Sequence, residues 1–185
     1  SEFSKYLETI NRQIFDIKKL VNEFSDFARM PKPILRKVKI NDILNRVISF
    51  YQMSDSKLNI KLTNNMSKDN FINADSEQLY RAFLNLIKNS LEAIAEKKQK
   101  VSNLQGKINV EINDNNEYIE IKILDNGIGF NETTNITKPY FTTKKEGTGL
   151  GLPIVTKIIN DHKGDINFIK NTKGAEIIIN LPIYS

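Results

Sequence analysis

The chain contains no cysteine, which excludes disulfides and thiolate metal sites. No apolar run is long enough to cross a bilayer, and the start of the chain does not read as a secretory signal. Glycine is scarce, with eight in 185 residues, yet five of the eight crowd into two short stretches, Gly127 with Gly129 and Gly147 with Gly149 and Gly151. Acidic residues run short only near the N-terminus. Residues 1–40 hold nine Lys and Arg against five Asp and Glu, while the remainder holds eighteen against seventeen. The basic excess, notable in "KPILRKVK" (Lys32 to Lys39), has no nucleic-acid recognition motif beside it and reads as a polar surface strand, so no nucleic-acid partner is expected. The rest is ordinary for a soluble globular protein, 39% hydrophobic and 26% charged. The length allows one domain and an extra element.

The extra element is N-terminal. Phe3, Leu7, Ile10, Ile14, Ile17, Val21, Phe24 and Ala28 recur in alternating steps of four and three, the seam of a coiled coil or helical bundle. One helix cannot bury such a seam alone, so a partner helix is expected from outside the chain. Pro31 and Pro33 end the helix. Beyond them, Ile34–Ile40 alternates as a half-buried strand, and Asn41 and Asp42 are candidate caps for a helix over Ile43–Met53. Short strands are expected at Leu58–Leu62 and Phe71–Ile72. Asp75 or Ser76 opens a long helix to about Lys98. Lys107–Ile112 and Tyr118–Leu124 pair through a turn at Asp114–Asn116. A polar loop over Asn131–Gly147 leads into a helix over Leu150–Asp161, and two last strands, Asp165–Lys170 and Ala175–Leu181, flank a turn at Asn171–Gly174. Such a mostly antiparallel sheet with helices on one face is α+β.

Three segments carry chemistry. In "KKEGTGLGLPIV" (Lys144 to Val155), three alternate glycines precede a helix N-terminus, which suits an anion. The spacing is neither that of a P-loop nor that of a dinucleotide fold. With "PYFTTKKEGTGLGL" (Pro139 to Leu152) as a lid, Lys144 and Lys145 can neutralise phosphate charge; the competing reading is a flexible loop with solvated lysines. In "DNGIGF" (Asp125 to Phe130), a strand ends at a carboxylate followed by two glycines. A buried carboxylate there can accept from the exocyclic amine of adenine and disfavours guanine, which presents a carbonyl; ordinary turn chemistry is the alternative. In "LNLIKNSLEA" (Leu84 to Ala93), Phe83, Leu84, Ile87, Leu91 and Ile94 form a core stripe, with Asn85 and Asn89 opposite, one turn apart. Those amides are either a solvated face or, at Asn89, a hard oxygen ligand for Mg2+.

Taken together and in order, these segments resemble the ATP-binding domain of two-component sensor histidine kinases, within the ATPase superfamily of gyrase and Hsp90. "LNLIKNSLEA" is similar to the family's N box, "DNGIGF" to the G1 box, "KPYFTTKK" to the F box and "GTGLGL" to the G2 box. "FSDFARMPKP" (Phe24 to Pro33) resembles the end of the second dimerisation helix, particularly in nitrogen-regulation-type kinases. The resemblance implies an α+β two-layer sandwich, a mixed, mostly antiparallel sheet covered by helices, over 41–185, a linker and first strand over 31–40, and one helix of an incomplete dimerisation bundle over 1–30. It implies ATP and Mg2+ as cofactors, Asn89 as metal ligand and Asp125 as adenine reader. Asn85, Gly127, Gly129, Thr143, Lys144, Lys145, Gly147, Thr148, Gly149, Leu150 and Gly151 would complete the nucleotide site, with Asn85 and Lys144 in catalytic positions. It further implies a homodimer through the N-terminal helix, a response-regulator receiver domain as partner, and a cytoplasmic domain of a protein anchored in the inner membrane.

Two departures matter. Where hydrolysing relatives carry a glutamate that activates water, this chain has Asn85, and an amide has no useful basicity. Transfer to a nucleophile other than water is therefore expected. The family's phosphoacceptor histidine lies on the first dimerisation helix, whereas the only histidine here is His162, in "NDHKGD" (Asn160 to Asp165). It is expected at a helix C-terminus, where positive charge is favourable, and not as the acceptor. Autophosphorylation is accordingly not expected of the chain by itself. The alternatives are an anti-sigma-type serine kinase, against which the heptad helix speaks, and an ATP-binding adaptor without transfer activity.

Overall fold

In the computed structural model, residues 2–130, 138 and 149–184 are described. Helix α1 (Glu2–Ala28) carries the heptad seam, and it lies open: Phe3 is 70% exposed, Ile14 58% and Ile17 61%. At its end the chain turns onto the remainder of the molecule, where Phe27 and Met30 pack against the core.

The remaining elements are β1 (Arg36–Val38), α2 (Ile40–Ser54), β2 (Ile60–Asn64), β3 (Ile72–Ala74), α3 (Ser76–Lys100), β4 (Ile108–Asp114), β5 (Tyr118–Asp125), α4 (Gly151–Asp161), β6 (Asp165–Asn171) and β7 (Gly174–Pro182). Five strands form one sheet in the order β2-β4-β5-β7-β6, with β2 and β4 parallel and the other pairs antiparallel. Strands β1 and β3 form a small antiparallel sheet, joined to the chain end by a bridge between Ile72 and Ile183.

The period-two pattern explains the main sheet. Val110 and Ile112 on β4 face Ile123 and Ile121 on β5, which in turn face Ile177 and Ile179 on β7. All six are buried, so neighbouring strands hold one apolar face in register. Helices α2, α3 and α4 cover that face, and their buried side chains form one cluster with it. Phe83 of α3 is wholly buried there, worth about 1.5–3 kcal/mol in removed apolar surface.

Two expectations from the sequence are corrected. Asn41 and Asp42 do not cap α2; they lie in its first turn, with Lys39 at the N-cap position and no side-chain cap. Ile40 is 0% exposed, and the helix starts there so that Ile40, Ile43, Leu44 and Val47 share one buried stripe. The buried stripe of α3 is also rotated: it runs through Leu79, Ala82, Phe83, Leu86, Ile87, Ser90 and Ile94, while Leu84 and Leu91 are half-buried. Asp75 does open α3, accepting from the backbone N–H of Glu77 and Gln78.

Candidate nucleotide site

The site is built where the end of β5 meets α3. Asp125 is the last residue of β5 and 9% exposed. Its Oδ1 accepts the backbone N–H of Gly127 at 2.9 Å and of Ala175 at 3.2 Å. Its Oδ2 accepts the hydroxyl of Ser90, on α3, at 2.7 Å. A carboxylate has about four lone-pair positions. Oδ1 is full, and Oδ2 keeps one position open among the described residues. That arrangement is an acceptor for a single N–H, such as one hydrogen of an exocyclic amine.

The segment after Asp125 cannot be an ordinary exposed turn. A Cβ on Gly127 would lie 2.7 Å from the backbone and side chain of Ala93, so α3 and the loop touch without side-chain space between them. Ile128 donates to the Ala93 carbonyl at 3.3 Å. Lys97 ties the same loop to the β6–β7 turn, donating to the carbonyls of Gly127 and Lys173 at 2.9 and 3.1 Å. That turn presses on Asp125 itself: a Cβ on Gly174 would fall 1.9 Å from the Asp125 carbonyl oxygen, so only glycine fits. Asn126 points away and locks the loop to the start of β4, donating to Gln105 O and accepting from Lys107 N–H.

On α3, Asn85 and Asn89 stand one turn apart, Asn89 next to Ser90, and both are half-buried. The start of α4 comes near the first of them: a Cβ on Gly151 would lie 4.0 Å from the Asn85 Oδ1. Helix α4 has Leu150 at its N-cap, no side-chain cap and no acidic residue in its first turn. Its opening N–H groups therefore keep the partial positive charge that attracts anions. Gly149 just before it has φ of 70°. A buried carboxylate, a pair of amides and a helix start without a side-chain cap thus lie along one flank of α3.

Residues 74–185 match the family model described as histidine kinase-, DNA gyrase B- and HSP90-like ATPase. The chain belongs to this ATPase family. Over 183 residues it is 34% identical to the nitrogen regulation protein NtrY of Azorhizobium caulinodans, covering 97% of this chain and 23% of that protein. A NtrY-like sensor histidine kinase of Rickettsia bellii is 32% identical over 180 residues, 96% of this chain and 28% of the relative. The chain thus spans about a quarter of the length of these curated relatives. Among solved structures, the catalytic domain of the histidine kinase ThkA superposes with a TM-score of 0.66 at 28% identity, over 80% of this chain and 95% of that one. ThkA in complex with the response regulator TrrA gives 0.74 at 23% identity, over 97% and 51% of the two chains, a likeness of fold.

Within this ATPase fold, Asn85, Asn89, Asp125, Gly127, Gly129, Gly149, Leu150 and Gly151 line α3, the end of β5 and the start of α4. Thr143, Lys144, Lys145, Gly147 and Thr148 lie outside the described residues. Leu150 is wholly buried, so its side chain serves the core while its backbone starts the helix. Sequence reasoning missed Ser90, Lys97, Gly174 and Ala175. The last three act through backbone atoms or across the fold, and Ser90 reads in sequence as one more small residue of a core stripe.

His162 caps the C-terminus of α4 as expected, but the charge argument for it is corrected. It is 4% exposed, its Nε2 faces the backbone N–H of Asp75 at 2.9 Å, and its Nδ1 lies 2.7 Å from the Ile158 carbonyl oxygen. An N–H can only donate, so Nε2 is the bare acceptor and Nδ1 carries the proton. The ring is a neutral brace between α4 and the start of α3. Asp75 extends that brace, because its Oδ2 accepts the N–H of Ile34 in the linker at 2.9 Å. Burial raises the Asp75 carboxyl, but the N–H groups of Ile34, Gln78 and Glu77 outweigh it and hold it below the ordinary carboxylate range.

Proposed function

We propose that this domain binds Mg·ATP and directs the γ-phosphoryl to a histidine on a helix outside these 185 residues, for relay to an aspartate of a response-regulator receiver domain. The observation that carries the reading is the Asp125 carboxylate, with one acceptor position open among the described residues, on the flank of α3 that carries Asn85 and Asn89 and meets the start of α4. Asp125 takes one N–H of the adenine amine. Guanine would set its carbonyl against the same oxygen, so ATP is preferred to GTP. Asn89 offers a neutral hard oxygen, which fits Mg2+ without adding negative charge beside a triphosphate. The bound metal supplies charge neutralisation for phosphoryl transfer.

The chain's own residues position. Glycine-loop N–H groups at Gly149 and Gly151 and the first turn of α4 hold phosphate oxygens. Lys144 and Lys145 add positive charge, and the segment 131–147 acts as lid. Asn85 has no basicity to activate water, which favours transfer to another nucleophile over hydrolysis. His162 is not that nucleophile. Both ring nitrogens are committed, and it sits at the far end of an eleven-residue helix, roughly 16 Å from the phosphates at 1.5 Å per residue. Transfer needs a separation of about 3–3.5 Å. The open seam of α1 supports a dimerisation bundle as the source of the acceptor, and the likeness to ThkA, solved with TrrA, supports a receiver domain as the next partner. By the resemblance to sensor histidine kinases, the whole protein is read as anchored in the inner membrane with this domain in the cytoplasm.

Calorimetric titration of the chain with ATP and GTP, with and without Mg2+, tests this reading. ATP is expected to bind with Mg2+ dependence and GTP much more weakly. Equal affinity for the two nucleotides would remove Asp125 as the base reader.

A further inference from the structure

Among the described residues only three polar side chains are buried: Ser90, Asp125 and His162. Two of them bond each other across 35 positions of sequence, and the bond joins the core face of α3 to the end of β5. A serine inside a helix ordinarily turns its hydroxyl back on its own helix. Ser90 sends its hydroxyl to Oδ2 of Asp125 instead, at 2.7 Å, a short charge-assisted contact. Its environment is otherwise apolar, with Leu86, Ile87 and Ile94 buried on the same helix, and alanine would fill the position with better helix propensity.

We infer that Ser90 is a positioning and specificity-determining residue for adenine: by occupying one acceptor position of Oδ2, it leaves that oxygen, among the described residues, a single open position of one direction. The inference rests on the reading of Asp125 as the residue that accepts the adenine amine. The backbone donors of Gly127 and Ala175 fill Oδ1 only. They orient the carboxylate plane, but among the described residues they leave both acceptor positions of Oδ2 to Ser90 and a ligand. Without the hydroxyl, Oδ2 has two open positions among the described residues, and water competes with the amine for them. The two faces of Oδ2 then also become available to other donors, so discrimination weakens along with affinity.

The test compares ATP with purine riboside triphosphate, the same nucleotide without the exocyclic amine, on wild-type chain, Ser90→Ala and Ser90→Thr. Wild type is expected to prefer ATP. Ser90→Ala should lose about tenfold in ATP affinity, the scale of one charge-assisted hydrogen bond acting at one remove, with the affinity for purine riboside triphosphate unchanged. Ser90→Thr, which restores a hydroxyl, should recover the preference for ATP. Thermal melts check that each variant folds, and purine riboside triphosphate binding reports an intact pocket in the same sample. Equal losses for both nucleotides in Ser90→Ala, or no loss for ATP, would overturn the role of Ser90. Absence of any ATP preference in wild type would instead overturn the underlying role of Asp125, and the two failures are distinct.

Discussion

Helices α1 and α3 are nearly equal in length, 27 and 25 residues, and both carry a regular apolar stripe. Their fates differ. The stripe of α3 is buried against α2, α4 and the sheet, whereas the seam of α1 stands open. Periodicity reports what a helix is built to bury; it does not say whether the same chain supplies the cover. The polar faces differ too. On α3 the side away from the core carries the half-buried asparagines of the candidate nucleotide site. On α1 the exposed seam is the form of a helix made for a second helix.

The largest expected effect lies in the core of α3. Phe83→Ala should cost about 3–5 kcal/mol, a transfer loss with a residual cavity, and thermal or denaturant melts measure it. If it costs less than 1 kcal/mol, the α3 stripe is not the keystone of the domain. Next comes the site on the same helix's flank. Asp125→Asn keeps the size but mixes donor and acceptor at the reading oxygen, and calorimetry should show ATP affinity falling by about 1–3 kcal/mol. Unchanged affinity with an intact fold would leave Asp125 a turn residue. Asn89→Ala should reduce the Mg2+ dependence of ATP binding more than the preference for ATP over GTP.

The brace at the start of α3 comes third. Asp75→Ala removes an N-cap acceptor and the tie to Ile34, at a cost of about 0.5–2 kcal/mol. Its pH signature has a definite sign. The folded carboxyl is held below its unfolded value of about 3.9, so its contribution is complete above that pH and disappears as pH falls through the lower folded value. Wild type and Asp75→Ala should therefore converge in stability on acidification below about pH 4; a gap that stays constant to acid would show that the carboxylate charge plays no part. The smallest effect is on α1. Ile14→Ala should change the melting of the chain by no more than about 0.5 kcal/mol. A larger loss, or a melt that depends on protein concentration in wild type only, would show that copies of the chain already cover the seam.

Local signals were legible in the sequence and cross-chain ones were not. A helix opening at Asp75 or Ser76, the alternating isoleucines of β4, β5 and β7, and the two glycine stretches follow from spacing alone. Asn41 and Asp42 misled because burial of Ile40 outweighed their capping preference. Ser90 was hidden because a small residue on a core stripe has the same pattern whether it packs or donates. His162 was placed correctly at a helix end for an incomplete reason: its partner, the Asp75 N–H, lies 87 positions away, beyond any local rule. The same holds for Gly174, whose necessity comes from the carbonyl of Asp125 pressing on it.

The most direct test of the account is incubation of the chain with γ-labelled ATP, alone and together with a chain that carries the first dimerisation helix and its histidine. The account predicts no acid-labile label on the chain by itself, despite measurable ATP binding, and label on the added chain when both are present. Acid-labile label on the chain alone, abolished in His162→Ala, would contradict both the committed ring nitrogens of His162 and the placement of the acceptor outside these residues.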